Sequence, residues 1–174
     1  MRYFLIGFMG SGKTTLGRAW AARLAVPFVD LDAQIETAEG RKIPQIFAEA
    51  GEAAFREIER KHLRDTSRHA DAVVATGGGT PCFFDNMDWM NESGTTIYLQ
   101  VPPQTLFERL KKEAAGRPLL TGLGSESLLR VIAETLEKRE GFYAQAQFTV
   151  PQSGHDFERI LENLEAIVRL NPEK

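Results

Sequence analysis

Short apolar runs alternate along this chain with longer stretches in which apolar residues recur every three or four positions. That alternation predicts βαβ units around a parallel sheet. Tyr3 to Ile6 is the first run, closed by Gly7. Beyond Lys13 the period changes. Leu16, Trp20 and Leu24 fall four apart with Arg18 and Arg23 between them, the stripe of a helix with one buried face. Pro27 to Asp32 reads as a second strand, and Ala33 to Glu39 as a short helix stopped by Gly40. Pro44 opens another brief helix that ends at Gly51. From Glu52 to about Arg68 a longer helix carries Phe55, Ile58, His62 and Leu63 on one side. Ala72 to Thr76 is an apolar strand broken by Gly77-Gly78-Gly79. Thr95 to Val101 is another strand, and Pro102-Pro103 leads into a helix over Gln104 to Glu113. Ala114 to Ser125 holds three glycines and a proline around Arg117, the composition of a mobile loop. A helix then runs to about Tyr143, Phe148 to Val150 is a last short strand, and Asp156 to Leu170 is the closing helix. With no internal repeat, low-complexity tract or linker, the 174 residues are expected to form one domain.

Composition narrows the class without naming a function. A hydrophobic share of 43% with 26% charged residues is ordinary globular usage and excludes disorder, collagen-like structure or a coiled coil for the bulk of the chain. Twenty-four acids against twenty-one bases leave a net charge of −3, which argues against a nucleic-acid surface. The single cysteine, Cys82, has no intrachain partner and fits a reducing compartment. No uncharged apolar run approaches the roughly 18 residues of a membrane span. MRYFLIGFMG is followed by GSGKTT where a signal peptide would place its cleavage site. A cytoplasmic protein without nucleic-acid or membrane partners is expected.

The chemistry begins at Gly7-Phe8-Met9-Gly10-Ser11-Gly12-Lys13-Thr14, a full G-x-x-x-x-G-K-[ST] phosphate loop between an apolar strand and an amphipathic helix. Its glycines let backbone N–H groups turn inward, and the following helix adds its positive end. Lys13 supplies a point charge for the β- and γ-phosphates, and the Thr14 hydroxyl can ligate Mg²⁺. No NKxD-type guanine-reading segment is present, so ATP is the default nucleotide. Asp30 and Asp32 stand two apart at the end of the second strand, where period-2 alternation would put both carboxylates on one face. One could serve the metal and the other an acceptor hydroxyl, or Asp32 could simply cap the next helix. Gly77-Gly78-Gly79 offers bare backbone to a ligand, or merely a sharp turn. No acid ends the Ala72–Thr76 strand, which favours Asp30 for the metal. Arg56 and Arg139 could each grip a carboxylate through a two-toothed hydrogen bond, or sit on solvated helix faces. Arg117, in its glycine-rich loop, could close over the nucleotide or be a plain surface residue.

Taken together, the segments GFMGSGKTTLG (7–17), FVDLD (28–32), FREIE (55–59), GGG (77–79), RPLL (117–120) and KREGFY (138–143) resemble shikimate kinases over nearly the whole chain. The resemblance implies a three-layer P-loop NTPase fold of the nucleoside-monophosphate-kinase type. That is a five-stranded parallel sheet with helices on both faces, an acceptor-binding helical segment over 33–62 and a mobile lid over 112–126. It also implies ATP-dependent phosphorylation of the 3-hydroxyl of shikimate on the way to chorismate, in a monomer. Residue by residue, Gly10, Ser11, Gly12, Lys13, Thr14, Thr15 and Arg117 would hold ATP, and Thr14 and Asp30 the Mg²⁺. Asp32, Arg56, Gly77, Gly78, Gly79 and Arg139 would hold shikimate, with Lys13, Asp32 and Arg117 as the catalytic groups.

The chain departs from the pattern of many such enzymes after KREGFY, where Ala144-Gln145-Ala146-Gln147 follows, and again at Pro151-Gln152-Ser153-Gly154. The arginines expected near the adenine are missing there, leaving the base to the backbone or to Arg109. Trp20, Trp89, Cys82, His62, His69 and His155 read as packing or surface residues. Two rival functions are another small-metabolite kinase of the same architecture, such as a gluconate kinase, and a nucleotide-responsive regulator without activity.

Overall fold

The computed structural model describes residues 1–113, 125–153 and 156–170. Arg117, His155 and most of the loop expected at 112–126 lie outside the described residues. In chain order the elements are β1 (Arg2–Ile6), α1 (Lys13–Leu24), β2 (Phe28–Asp30), α2 (Leu31–Glu39), α3 (Ile43–Asp65), β3 (Ala72–Ala75), α4 (Asn86–Ser93), β4 (Thr95–Gln100), α5 (Pro103–Glu113), α6 (Ser125–Tyr143), β5 (Phe148–Pro151) and α7 (Phe157–Leu170). The five strands form one sheet in the order β2-β3-β1-β4-β5, every pair parallel.

Alternation along the strands sorts the core into two layers. Tyr3, Leu5, Val73, Ile97 and Leu99 face α1 and α7, where they meet Leu16, Trp20, Leu161 and Leu164. Their neighbours Phe4, Ile6, Val74 and Tyr98 face the other way, against Leu31, Ile35, Ile46, Leu63, Met90 and Tyr143. A third cluster packs Phe8 of the phosphate loop against Leu106, Leu110, Leu128 and Ile132 of α5 and α6. From β1 the chain runs by α1 to the β2 edge, whereas from β3 it crosses β1 to reach β4. The carboxyl ends of β1 and β3 therefore flank a topological switch point, where open α/β sheets bind their ligands.

Two local expectations need correction. The second strand stops at Asp30, and Leu31 already begins α2, so Asp32 lies in a helical first turn and not at a strand end. Asp30 is the N-cap, its carboxylate accepting from the Ala33 N–H at 3.2 Å. The short helix α4 had not been expected, because its polar residues Asn86, Asp88, Asn91 and Glu92 hide the apolar pair Met87 and Met90. The break expected at Gly51 is present as a kink inside α3, where Gly51 itself leaves helical geometry (φ 80°, ψ 172°).

Trp20 is the largest side chain fully removed from solvent, its ring 4.8 Å from that of Tyr3 and its indole N–H without a partner among the described residues. Trp20→Ala is expected to cost about 3–5 kcal/mol, by loss of apolar burial and the cavity left behind. Trp20→Phe should recover most of that, since it sacrifices no hydrogen bond. Urea midpoints of the two variants check both statements.

Candidate active site

The phosphate loop curls over the end of β1. Gly10 and Gly12 take left-handed φ values of 77° and 87°, the second at the N-cap of α1, which a side chain would strain. Lys13 folds back into this curl. Its ammonium donates to the carbonyls of Gly7 and Phe8, both at 2.8 Å, and is nearly lost to solvent. Burial pulls its pKa down to about 8, helped by Arg139 nearby and opposed by Asp32 and Asp30.

Next to it, the Thr14 hydroxyl donates to Asp30 at 2.8 Å. Hydroxyl and carboxylate are hard oxygen donors, the set a Mg²⁺ ion takes when phosphates and water complete its shell. Among the described residues no three acids, histidines or cysteines gather that could hold a metal by themselves. A cleft of about 360 Å³ is lined by Gly10, Gly12, Lys13, Thr14, Thr15, Asp30, Asp32, Thr76 and Gly78, so the two anticipated acids do share one cavity despite the change of element. Asp32 is an exposed residue by surface area, yet its carboxyl group is closely surrounded by protein. That burial, with Glu59 and Asp30 close by, lifts its pKa from 3.8 to about 6 against the pull of Lys13.

The triple glycine after β3 is where the remaining candidates meet. A side chain at Gly77 would strike the carboxylates of Glu59 at 2.8 Å and Asp32 at 2.9 Å. One at Gly78 would stand 3.5 Å from the Arg139 guanidinium and 3.3 Å from the Met9 amide, and one at Gly79 would collide with the Arg56 guanidinium at 2.8 Å. Close approach, and not only a turn, thus disfavours a side chain at Gly77 and Gly79, while Gly78 is merely tightly packed. Arg56, buried on α3, lies 4.0 Å from the centre of the Phe83 ring and donates to Glu59 at 2.8 Å and to Glu52 at 3.0 Å. Tyr143, at the end of α6, donates its hydroxyl to the Gly78 carbonyl at 2.6 Å. Arg139 lies one turn earlier on the same helix, its guanidinium 5.8 Å from the centre of the Phe8 ring.

Sequence reasoning had assigned no role to Glu59, Thr80 or Tyr143. Glu59 is 1% exposed and receives Arg56 on one oxygen and the Thr80 hydroxyl, at 2.6 Å, on the other. Its signal was available, since it shares the buried face of α3 with Phe55, Arg56, His62 and Leu63. An acid on such a stripe three residues from an arginine marks a buried pair. Beyond the phosphate loop, a second pocket of about 310 Å³ is lined by Gly10, Gly12, Thr15, Leu16, Arg109, Gln152, Phe157 and Ile160. It touches the first cleft through Gly10, Gly12 and Thr15.

A shikimate kinase family model matches residues 9–168. The chain belongs to that family. A shikimate kinase of Bacteroides fragilis is 49% identical over 148 residues, 85% of this chain and 83% of the relative. The crystal structure of the Bacteroides thetaiotaomicron shikimate kinase superposes with a TM-score of 0.92 at 43% identity, covering 97% of this chain and 98% of its own. The Acinetobacter baumannii shikimate kinase, solved in complex with shikimate, gives a TM-score of 0.85 at 31% identity over 99% of this chain and 95% of its own. The three-layer P-loop architecture is therefore the family's nucleoside-monophosphate-kinase-like one.

The raised pKa of Asp32 carries a sign for stability. Because the folded chain binds this proton more tightly than the unfolded one, the stabilisation is complete below pH 4 and is lost as pH rises through about 6. At neutral pH the ionised carboxylate is thus unfavourable to folding, though solvent screening limits the size of the effect. Asp32→Asn is expected to raise the melting temperature at pH 8, without nucleotide or divalent cation, and to lose that advantage toward pH 4. Melting curves across that range check it; no gain at pH 8 would contradict the raised pKa.

Proposed function

We infer that this chain transfers the γ-phosphoryl group of ATP to the 3-hydroxyl of shikimate, giving shikimate 3-phosphate and ADP on the route to chorismate and the aromatic amino acids. The observation that carries this reading is the meeting of two machineries at one crevice. A phosphate loop with its buried lysine stands on one side. On the other, Asp32, Arg56 and Arg139 surround three side-chain-free residues.

Phosphoryl transfer asks a protein mostly for position and charge. In the proposed arrangement the amides of Gly10, Ser11, Gly12, Lys13, Thr14 and Thr15 cradle the ATP phosphates while Lys13 faces the β- and γ-groups. Thr14 and Asp30 would hold Mg²⁺, which when bound neutralises charge on those phosphates. Arg56, Arg139 and the backbone of Gly77, Gly78 and Gly79 hold the acceptor, with its carboxylate on the arginines. The segment 33–62 supplies that pocket's outer wall. Asp32 orients the acceptor hydroxyl and takes its proton as the new O–P bond forms and the bond to ADP breaks. A pKa near 6 leaves Asp32 mostly ionised at neutral pH and therefore able to accept. Arg117 and the 112–126 lid are assigned to closure over ATP on sequence grounds, and the base is placed in the pocket beside Arg109.

Glu59 and Tyr143 act through others in this scheme. Glu59 fixes the Arg56 guanidinium, and Tyr143 fixes the Gly78 peptide plane. The same reading takes the chain as a cytoplasmic monomer without nucleic-acid or membrane partners. None of the described helices is long and apolar enough to cross a membrane.

A coupled ADP-release assay tests the reaction directly. Turnover is expected with shikimate and not with gluconate; ADP release with gluconate, or shikimate binding without ADP release, would overturn the assignment. Asp32→Asn should lower kcat at least 100-fold while ATP affinity, read by calorimetry, stays within about twofold. Tyr143→Phe keeps the ring against Tyr98 and removes one hydrogen bond, worth about 1 kcal/mol. It should raise KM for shikimate roughly 5-fold and leave KM for ATP unchanged.

A further inference from the structure

Gln152, just past the β5 edge strand, is a polar side chain with an unusual commission. It is 5% exposed, yet both ends of its carboxamide are engaged. Oε1 accepts from both terminal nitrogens of the Arg109 guanidinium, at 3.0 and 3.1 Å, and Nε2 donates to the Ser11 carbonyl of the phosphate loop at 2.7 Å. Arg109 offers only donors and the Ser11 carbonyl only an acceptor, so a single orientation of the amide satisfies both. The backbone beneath is equally fixed, with the Gln152 N–H donating to the Gln100 carbonyl at 2.9 Å in continuation of the β4–β5 ladder. Arg109 completes the ring by donating to the Gly10 carbonyl at 3.2 Å.

This cluster lines the second pocket together with the apolar Leu16 and Ile160. A planar base with polar edges suits such a space, because a guanidinium can lie against an aromatic face while aliphatic groups cover the other. We propose that Gln152 is a positioning residue for the nucleotide. It holds Arg109 at the base pocket and ties that arginine to the phosphate loop, so that base and phosphates are gripped at a set spacing. The proposal rests on the assignment of ATP to this site and goes beyond it by naming the residue that sets Arg109 in place. A carboxamide is required for this. A glutamate would face the Ser11 carbonyl with a second acceptor, and an aliphatic side chain would leave Arg109 and Ser11 unpaired.

The test is steady-state kinetics with ATP and shikimate on Gln152→Met, Arg109→Met and the double variant. Gln152→Met should raise KM for ATP about 10-fold, with KM for shikimate and kcat at saturating ATP within twofold; general loss of structure would move all three. If Gln152 works through Arg109, the double variant should be no worse than Arg109→Met alone. Multiplied effects in the double variant, or an unchanged KM for ATP in Gln152→Met, would overturn the proposal while leaving the base pocket intact. An unchanged KM for ATP in Arg109→Met would instead overturn the base assignment. Should Gln152→Met be insoluble, Gln152→Asn, whose shorter amide cannot span both partners, is read in the same way.

Discussion

A carboxylate sealed from water is the constraint around which the triple-glycine side of this crevice is arranged. Burying an ionised Glu59 unpaired would be prohibitive, and the fold meets the cost with a guanidinium on one oxygen and a hydroxyl on the other. Each partner then fixes something else. Arg56 is held where its plane reaches the backbone at Gly79, and Thr80 holds the segment that follows the glycines. Gly77 has no room for a Cβ because Glu59 and Asp32 already fill that space. One buried charge thereby sets the arginine, the loop and the closeness of Asp32.

The phosphate-loop side repeats the principle with the sign reversed. Lys13 is a buried cation whose hydrogen bonds within the described protein go to loop oxygens, the Gly7 and Phe8 carbonyls at normal distance and the Ser11 hydroxyl at 3.5 Å. Neutral acceptors satisfy its hydrogens, and the pull of Asp32 and Asp30 falls short of the desolvation, so burial lowers its pKa. An arriving phosphate would supply the missing charge. The loop is kept in shape meanwhile from behind, by Phe8 in the α5–α6 cluster and by the amide of Gln152 on the Ser11 carbonyl.

Much of this was legible in the sequence, for physical reasons that differ from residue to residue. The phosphate loop announces itself because its chemistry is local, with glycines, lysine and hydroxyl all within eight positions. The parallel sheet follows from strands buried on both faces, which leave uninterrupted apolar runs such as Ala72–Ala75. Asp30 does hydrogen-bond Thr14, but strand alternation is not what brings Asp32 beside it. A helix start, and not strand alternation, brings the second acid into the cleft, and a three-residue strand gives too little pattern to tell. Tyr143 and Gln152 stayed without roles because each works on a segment at least 65 positions away, whereas Glu59, three residues from Arg56 on one buried stripe, was within reach of the sequence. Only the sheet order brings such pairs together.

The exposures of the two acids on Arg56 bear on how an acceptor carboxylate would enter. Arg56 is shared between Glu59, buried at 1%, and Glu52, whose side chain is 57% exposed. Releasing Glu59 would strand a charge in the interior, whereas Glu52 can turn into water at the small cost of breaking a surface ion pair. On the proposed function, the incoming carboxylate therefore exchanges with Glu52 and leaves the Glu59 pairing in place. In such an exchange the guanidinium would keep an anion beside it throughout. Gating of this kind lets a buried arginine stay oriented without ligand and still remain available, which a single fully buried salt bridge would not permit.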